Sequence, residues 1–272
     1  MHFEISIIYD IPIWATGFLF LLVLLLVLEI GNQIGLKQRE HWVEKETAGG
    51  KVVLTALLTL LGLILSFTYL ASVQRYEVRK QTAVMEANAL GTAFLRADLV
   101  AEPGSTELKQ ALLDYARTRI VSGKKTRWTP EERKSFVLIS LKEQEQLWPI
   151  TEKIIEEGKP GPIETALVTS INHVIDVHTL RLAAALDKLP LAVTLMMLFM
   201  AAAALGVAGF NAGIYGKMSR GRMTAFALVL TLIMFIIQDF DRPGQGWIRV
   251  TQNSLHFVIL EMETELAQQS SE

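Results

Sequence analysis

Four apolar stretches, Ile13 to Ile30, Val52 to Val73, Leu189 to Phe210 and Met223 to Ile237, constrain this chain more than any motif it carries. A bilayer core asks for about 20 mostly apolar residues per helix, and each stretch approaches that length. The last is the shortest, and Gln238, Asp239 and Asp241 close it abruptly, so it relies on tilt of its neighbours or local thinning of the bilayer. No basic residue precedes the first stretch, and Leu28-Glu29-Ile30 lacks the small residues of a cleavage site, so that span is expected to stay in the mature protein. Composition agrees: 51% hydrophobic residues and a mean hydropathy of +0.33 are too apolar for an ordinary soluble protein. A multi-pass protein in a lipid bilayer follows.

Other classes are excluded in turn. With 26 Lys and Arg against 28 Asp and Glu, the net charge of -2 leaves no positive excess to hold a nucleic-acid backbone. Cys is absent, which removes disulfides, thiolate metal sites and cysteine nucleophiles together. His173 and His178 are five apart and share no helix face as an i, i+4 metal pair would. There is no Walker loop, no dinucleotide fingerprint and no nucleophile elbow. No catalytic residue, metal or cofactor is expected, and none of Asp, Glu, Lys, Arg or His sits mid-span as a proton-coupled transporter or voltage sensor would need.

Orientation is read from Lys and Arg near the span ends. Lys37, Arg39, Lys45 and Lys51 lie between spans one and two, and Lys217, Arg220 and Arg222 between three and four. Arg75, Arg79, Lys80, Arg181, Lys188, Arg242 and Arg249 oppose them on the other face, close to a tie. Because long segments translocate largely regardless of charge and the first helix usually dominates, the bias points to an outside N-terminus and an extracytoplasmic central segment.

The expected fold is all-α, a four-span bundle with a helical extramembrane domain inserted between spans two and three. Residues 1–73 hold the tail and spans one and two, 74–188 the inserted domain, 189–238 spans three and four, and 239–272 a C-terminal tail. Span two is expected to run on to about Val100, where Pro103-Gly104 stops it, and a second helix to cover Ser105 to about Val121. Thr129-Pro130-Glu131-Glu132 is a helix start with Thr as N-cap and Glu at N3. Pro149 predicts a kink or break in that helix. Gly158-Lys159-Pro160-Gly161-Pro162 is a turn, after which a helix from Ile163 towards Lys188 feeds span three across Pro190. Leu255, Val258, Ile259, Met262 and Leu266 make the tail a short amphipathic helix, on the membrane or on the domain. Trp128, Trp148 and Trp247 read as core or interfacial anchors.

With four spans, the exit of span two, the entry of span three and the exit of span four share one face. Arg75, Glu77, Arg79 and Glu86 can therefore meet Asp176, His178 and Arg181, and both groups can meet Asp239, Asp241 and Arg242. Two readings fit: a salt-bridge network fixing how the spans enter the domain, with Asp239 and Asp241 on Arg75 and Arg79, or an ion vestibule or cation site. On span two, Thr55, Thr59, Gly62, Ser66 and Tyr69 form one polar or small stripe at i, i+4, i+7, i+11 and i+14. That stripe is either the lining of a conduction path or a helix-packing seam. Gly209 and Gly213 on span three read as packing alone.

Gly62-Leu63-Ile64-Leu65-Ser66-Phe67, then Arg75-Tyr76-Glu77-Val78-Arg79-Lys80-Gln81 and Glu86-Ala87-Asn88-Ala89-Leu90-Gly91-Thr92-Ala93-Phe94-Leu95-Arg96, resemble the bestrophin-like domain family of bacterial membrane proteins. So do Asn172, Ile175-Asp176, His178 and Arg181, and Asp239-Phe240-Asp241-Arg242-Pro243 with Gly246 and Ile248; the resemblance runs from about Gly50 to Leu255. It implies a bacterial inner (plasma) membrane protein and, by distant analogy to bestrophins, a homo-oligomeric anion channel with helices between spans two and three. Bestrophins keep those helices in the cytosol, against the charge reading. Where they carry an acidic calcium clasp, this chain has only Asp239 and Asp241 with Arg242 beside them. The leading expectation is a homo-oligomeric ion channel or channel-like protein handling small inorganic ions, with span two nearest the axis; the alternative is a non-conducting membrane scaffold or sensor whose helical domain binds a partner.

Overall fold

Unbroken apolar length sets the first elements and breakers set their ends. The computed structural model describes residues 11–42, 49–120, 129–158, 161–216, 219–242 and 246–269, and helix is the only regular structure among them. The helices are α1 Ile13–Lys37, α2 Arg39–Trp42, α3 Gly49–Ala97, α4 Gly104–Thr118, α5 Pro130–Glu157, α6 Pro162–Leu186, α7 Leu191–Tyr215, α8 Arg220–Asp241 and α9 Asn253–Gln269. Four of these segments are long and apolar enough to cross a membrane: Ile13–Lys37, Gly49–Ala97, the run 162–215 and Arg220–Asp241. Glu4, Asp10, Lys45, Val121, Trp128, Lys159, Pro160, Lys217 and Pro243 lie outside the described residues.

Particular boundaries follow local chemistry. The α5 start is a complete capping box, with the Glu132 N–H on Thr129 Oγ1 at 3.2 Å and the Thr129 N–H on Glu132 at 2.9 Å. Pro149 does not end α5, which continues to Glu157; buried Leu147 and Ile154 on either side hold the helix through the missing N–H. Pro190 separates α6 from α7 and caps α7 instead of lying inside one helix. The last span is longer than its apolar run, because Arg220 to Arg222 and Gln238 to Asp241 are helical too.

The chain divides into two units. The first holds the described residues of 1–75, 188–242 and 246–248. Its core gathers Phe20, Leu24 and Leu28 of α1, Leu61 and Leu65 of α3, Met197, Ala201 and Leu205 of α7, and Leu230, Met234 and Ile237 of α8. The α1 and α7 backbones touch through glycines spaced four apart on each helix: Gly31 lies against Gly206 and Phe210, Gly35 against Phe210 and Gly213, and Gly209 against Leu28 and Asn32. A Cβ on Gly35 would fall well inside van der Waals contact with the Phe210 carbonyl oxygen and 3.1 Å from Gly213 Cα; one on Gly209 would meet the Leu28 carbonyl just as closely. Such close contact gives dispersion attraction between the two backbones.

The second unit holds the described residues of 76–187 and 249–272. Its core joins Leu90 and Phe94 of α3, Leu108 and Leu112 of α4, Leu147 of α5, Leu167, Ile171 and Val174 of α6, and Leu255, Ile259 and Met262 of α9. The C-terminal helix thus packs on this unit by its i, i+4, i+7 face. Lys109, fully buried, fixes three helices together: its ammonium pairs with Asp98 and, at 2.7 Å, with Glu265 of α9, and lies 5.0 Å from the Phe94 ring.

Candidate functional site

On α3 the stripe of Thr55, Thr59, Gly62, Ser66 and Tyr69 is exposed along its length, while the opposite face buries Leu61, Leu65, Thr68 and Ser72. The hydroxyls satisfy themselves on their own helix: Thr55 donates to Lys51 O at 2.9 Å, Thr59 to Thr55 O at 2.9 Å and Ser66 to Gly62 O at 2.8 Å. A Cβ on Gly62 would meet nothing within 4 Å. Gly62 thus differs from Gly209 and Gly213, whose added Cβ atoms would meet α1 backbone. Tyr69 keeps one edge on Phe240, with ring centroids 5.9 Å apart.

The carboxylates that close span four are directed at backbone amides. Asp239 accepts the Trp247 N–H at 3.0 Å and the Ile248 N–H at 2.8 Å. Gly246 makes this turn possible: its φ is 95°, and a side chain there would collide with the Asp239 carboxylate. Asp241, fully buried, accepts the Leu189 N–H at 2.9 Å through one oxygen and 3.1 Å through the other. Arg242 reaches the start of span one, donating to Ile11 O at 2.6 Å and Thr16 Oγ1 at 3.1 Å. These three residues join the ends of spans one, three and four within the first unit. Trp247 is 82% exposed and packs edge-on against Phe235, so it is not a core residue of the first unit.

Within the second unit, Arg79 donates to Ala184 O at 3.1 Å and Asp187 O at 2.7 Å, satisfying carbonyls at the end of α6. Deeper lies an ionic core. Glu86 is fully buried and receives the Arg119 Nε–H at 2.8 Å, the Tyr115 hydroxyl at 3.0 Å and the Arg181 guanidinium. The Tyr115 hydroxyl also lies 2.8 Å from His178 Nδ1, and His178 Nε2 is buried with no hydrogen-bond partner. Burial pushes the Glu86 carboxyl up, but Arg119 and Arg181 outweigh it and hold it below the ordinary range. Burial, then the Arg119 charge, depresses His178 to about 4. Burial and Glu86 push the Tyr115 phenol well above its usual value.

Of the residues expected together, Glu86, His178 and Arg181 meet. Asp176 stands exposed on α6, as do Asn172 and His173, and Glu77 pairs locally with Lys80 at 3.7 Å. Tyr115 and Arg119 were not expected there. Their signal is that they continue the buried Leu108 and Leu112 face of α4 at i+7 and i+11, where a polar residue must find a buried partner. Among the described residues no group of three His, Cys, Asp or Glu side chains could hold a metal ion.

Four segments long and apolar enough to cross a membrane, and a charge-cored helical unit, give a fold that is all-helical among the described residues and of membrane-protein type. The chain belongs to the bestrophin-like domain family, whose profile matches residues 18–255. Its fold resembles that of a bacterial bestrophin homologue from Klebsiella pneumoniae, with a TM-score of 0.63 and 13% identity over 92% of this chain and 98% of that one. A tryptophan-to-alanine variant of that homologue gives 0.65 and 12% over 96% and 98%. A crystal structure described as a membrane protein carrying a serine-to-alanine change gives 0.65 and 14% over 93% and 98%. No curated protein matches the chain.

Proposed function

We propose that the protein is a homo-oligomeric ion channel in a bacterial inner membrane, with α3 nearest the oligomer axis and Thr55, Thr59, Gly62, Ser66 and Tyr69 lining the path. One observation carries this reading: a polar stripe on an apolar helix is exposed along its length, its hydroxyls bonded to their own helix and Gly62 facing open space. Membership of the bestrophin-like family supports it. Lipid surrounds the four spans, and small inorganic ions are the conducted species. Residues 74–188 form an extramembrane helical domain outside the cytoplasm, an orientation supported by the lack of Lys or Arg before span one and the basic residues that follow it. Asp239, Asp241 and Arg242 act as clamps on helix ends, and Glu86 with Arg181 as a structural ion pair; no residue is assigned a catalytic role. The test is ion flux from the purified protein in liposomes, alongside its oligomeric state in detergent: a multimer that conducts supports the reading, and a monomer without flux overturns it.

A further inference from the structure

The end of the first unit opposite Asp241 carries Lys37, Arg39, Lys51, Arg220 and Arg222, all exposed. Three contacts bring them to one end. Asn211 Nδ2 donates to Gly50 O at 3.1 Å, next to Lys51; the Arg39 guanidinium lies against the left-handed Gly216 turn; and Arg220 reaches Glu29 of α1 at 3.7 Å, two turns before Lys37. Arg220 remains 79% exposed despite that contact. Glu29 and Glu40 offset two of these five charges, and the remaining positive excess repels itself unless a further counter-charge is supplied.

Helix length says where that counter-charge lies. From exposed Trp14 to Lys37 α1 rises about 35 Å at 1.5 Å per residue, against a hydrocarbon core of about 30 Å. With Trp14 and Trp247 in one headgroup layer, where exposed tryptophans partition, Lys37 and its basic neighbours fall in the other. We propose that this end is a docking surface for anionic lipid headgroups, with Lys37, Arg39, Lys51, Arg220 and Arg222 donating to their phosphates. The proposal rests on the four helices crossing a bilayer but not on conduction.

The experiment measures the thermal midpoint of the full-length protein in detergent with added phosphatidylglycerol, phosphatidylcholine or inorganic phosphate. Phosphatidylglycerol should raise the midpoint by about 5 °C and the other two should not, because only a ligand that prefers the folded state shifts it. The increment should fade in high salt, a readout that needs no variant. It should shrink by about half in Arg222→Gln and vanish when Lys37, Arg39, Arg220 and Arg222 are all changed to Gln. Lys134→Gln with Lys142→Gln, on α5 of the second unit, should leave it intact. Equal shifts from the two lipids, an increment that survives the fourfold change, or its loss in the α5 pair would overturn the proposal. An equal shift from inorganic phosphate would overturn the lipid as its source.

Discussion

Glu86 and Tyr115, twenty-nine residues apart in the chain, meet at 3.0 Å in the interior of the second unit, and the same hydroxyl carries the contact on to His178. The carboxylate is flanked by Arg119 and Arg181, so one negative charge answers two positive ones away from water. Removing it leaves two guanidinium groups uncompensated. Glu86→Ala should destabilise the unit by about 3 to 5 kcal/mol, whereas Glu77→Ala, on the exposed pair with Lys80, should cost about 1 kcal/mol or less. Denaturant unfolding of both variants checks the contrast, and equal losses would refute an ionic core.

The same network sets a pH dependence. In the folded protein His178 titrates at about 4, against an ordinary 6.5 for an unfolded histidine. Between those values the unfolded chain binds a proton that the folded chain does not, so stability rises with pH there. The contribution is complete above about 6.5 and is lost as pH falls towards 4. Between pH 7 and 5 the loss should be about 2 kcal/mol, from 1.4 kcal/mol per unit. Glu86, held below its ordinary value of 4.5, adds its own loss only at lower pH. Melting at pH 7 and pH 5 should show the wild type losing stability and His178→Gln staying flat; a variant as acid-sensitive as the wild type would place the effect elsewhere.

What the sequence made legible is what is local. Apolar length marks a span without knowledge of its neighbours, and the Thr129 and Glu132 capping box lies within one turn. Asp239 and Asp241 were legible as costly charges bordering an apolar helix, but their shown partners are the amides of Trp247, Ile248 and Leu189, and a backbone amide has no side-chain signature. Glu86 was legible, whereas Arg119 depends on a contact across 33 positions that no periodicity encodes. Gly209 and Gly213 announced a seam, but only the fold names Gly31 and Gly35 as the other half.

That seam separates two kinds of glycine. Gly35→Val or Gly213→Val puts a side chain into opposing backbone, which cannot move aside as a side chain can, so α1 and α7 must part. Each should lower the thermal midpoint in detergent by several degrees or abolish folded yield, consistent with about 3 kcal/mol or more of overpacking. Gly62→Ala points into open space on the same reckoning and should leave yield and midpoint unchanged within the subunit. Loss of folded protein in Gly62→Ala would mean that the stripe is covered when the chain assembles.

Gly62 also connects to the question of conduction, because it lies one turn before Ser66 on the exposed stripe, with Thr59 on its other side. If this face lines an ion path, charge placed on it changes the potential that a passing ion meets, while the opposite face, holding Leu61 and Leu65 in the core, should not respond without unfolding. Ser66→Lys should raise the permeability of anions over cations by about tenfold and Ser66→Glu should reverse the preference, since about 1.4 kcal/mol of added electrostatic energy is tenfold in a ratio. Ser66→Phe should reduce conductance through bulk alone. All three side chains point away from the subunit core, so insertion and oligomeric state should persist. Reversal potentials in planar bilayers under a salt gradient measure the outcome; identical values for the Lys and Glu variants in a correctly assembled oligomer would remove Ser66 from the path and the stripe with it.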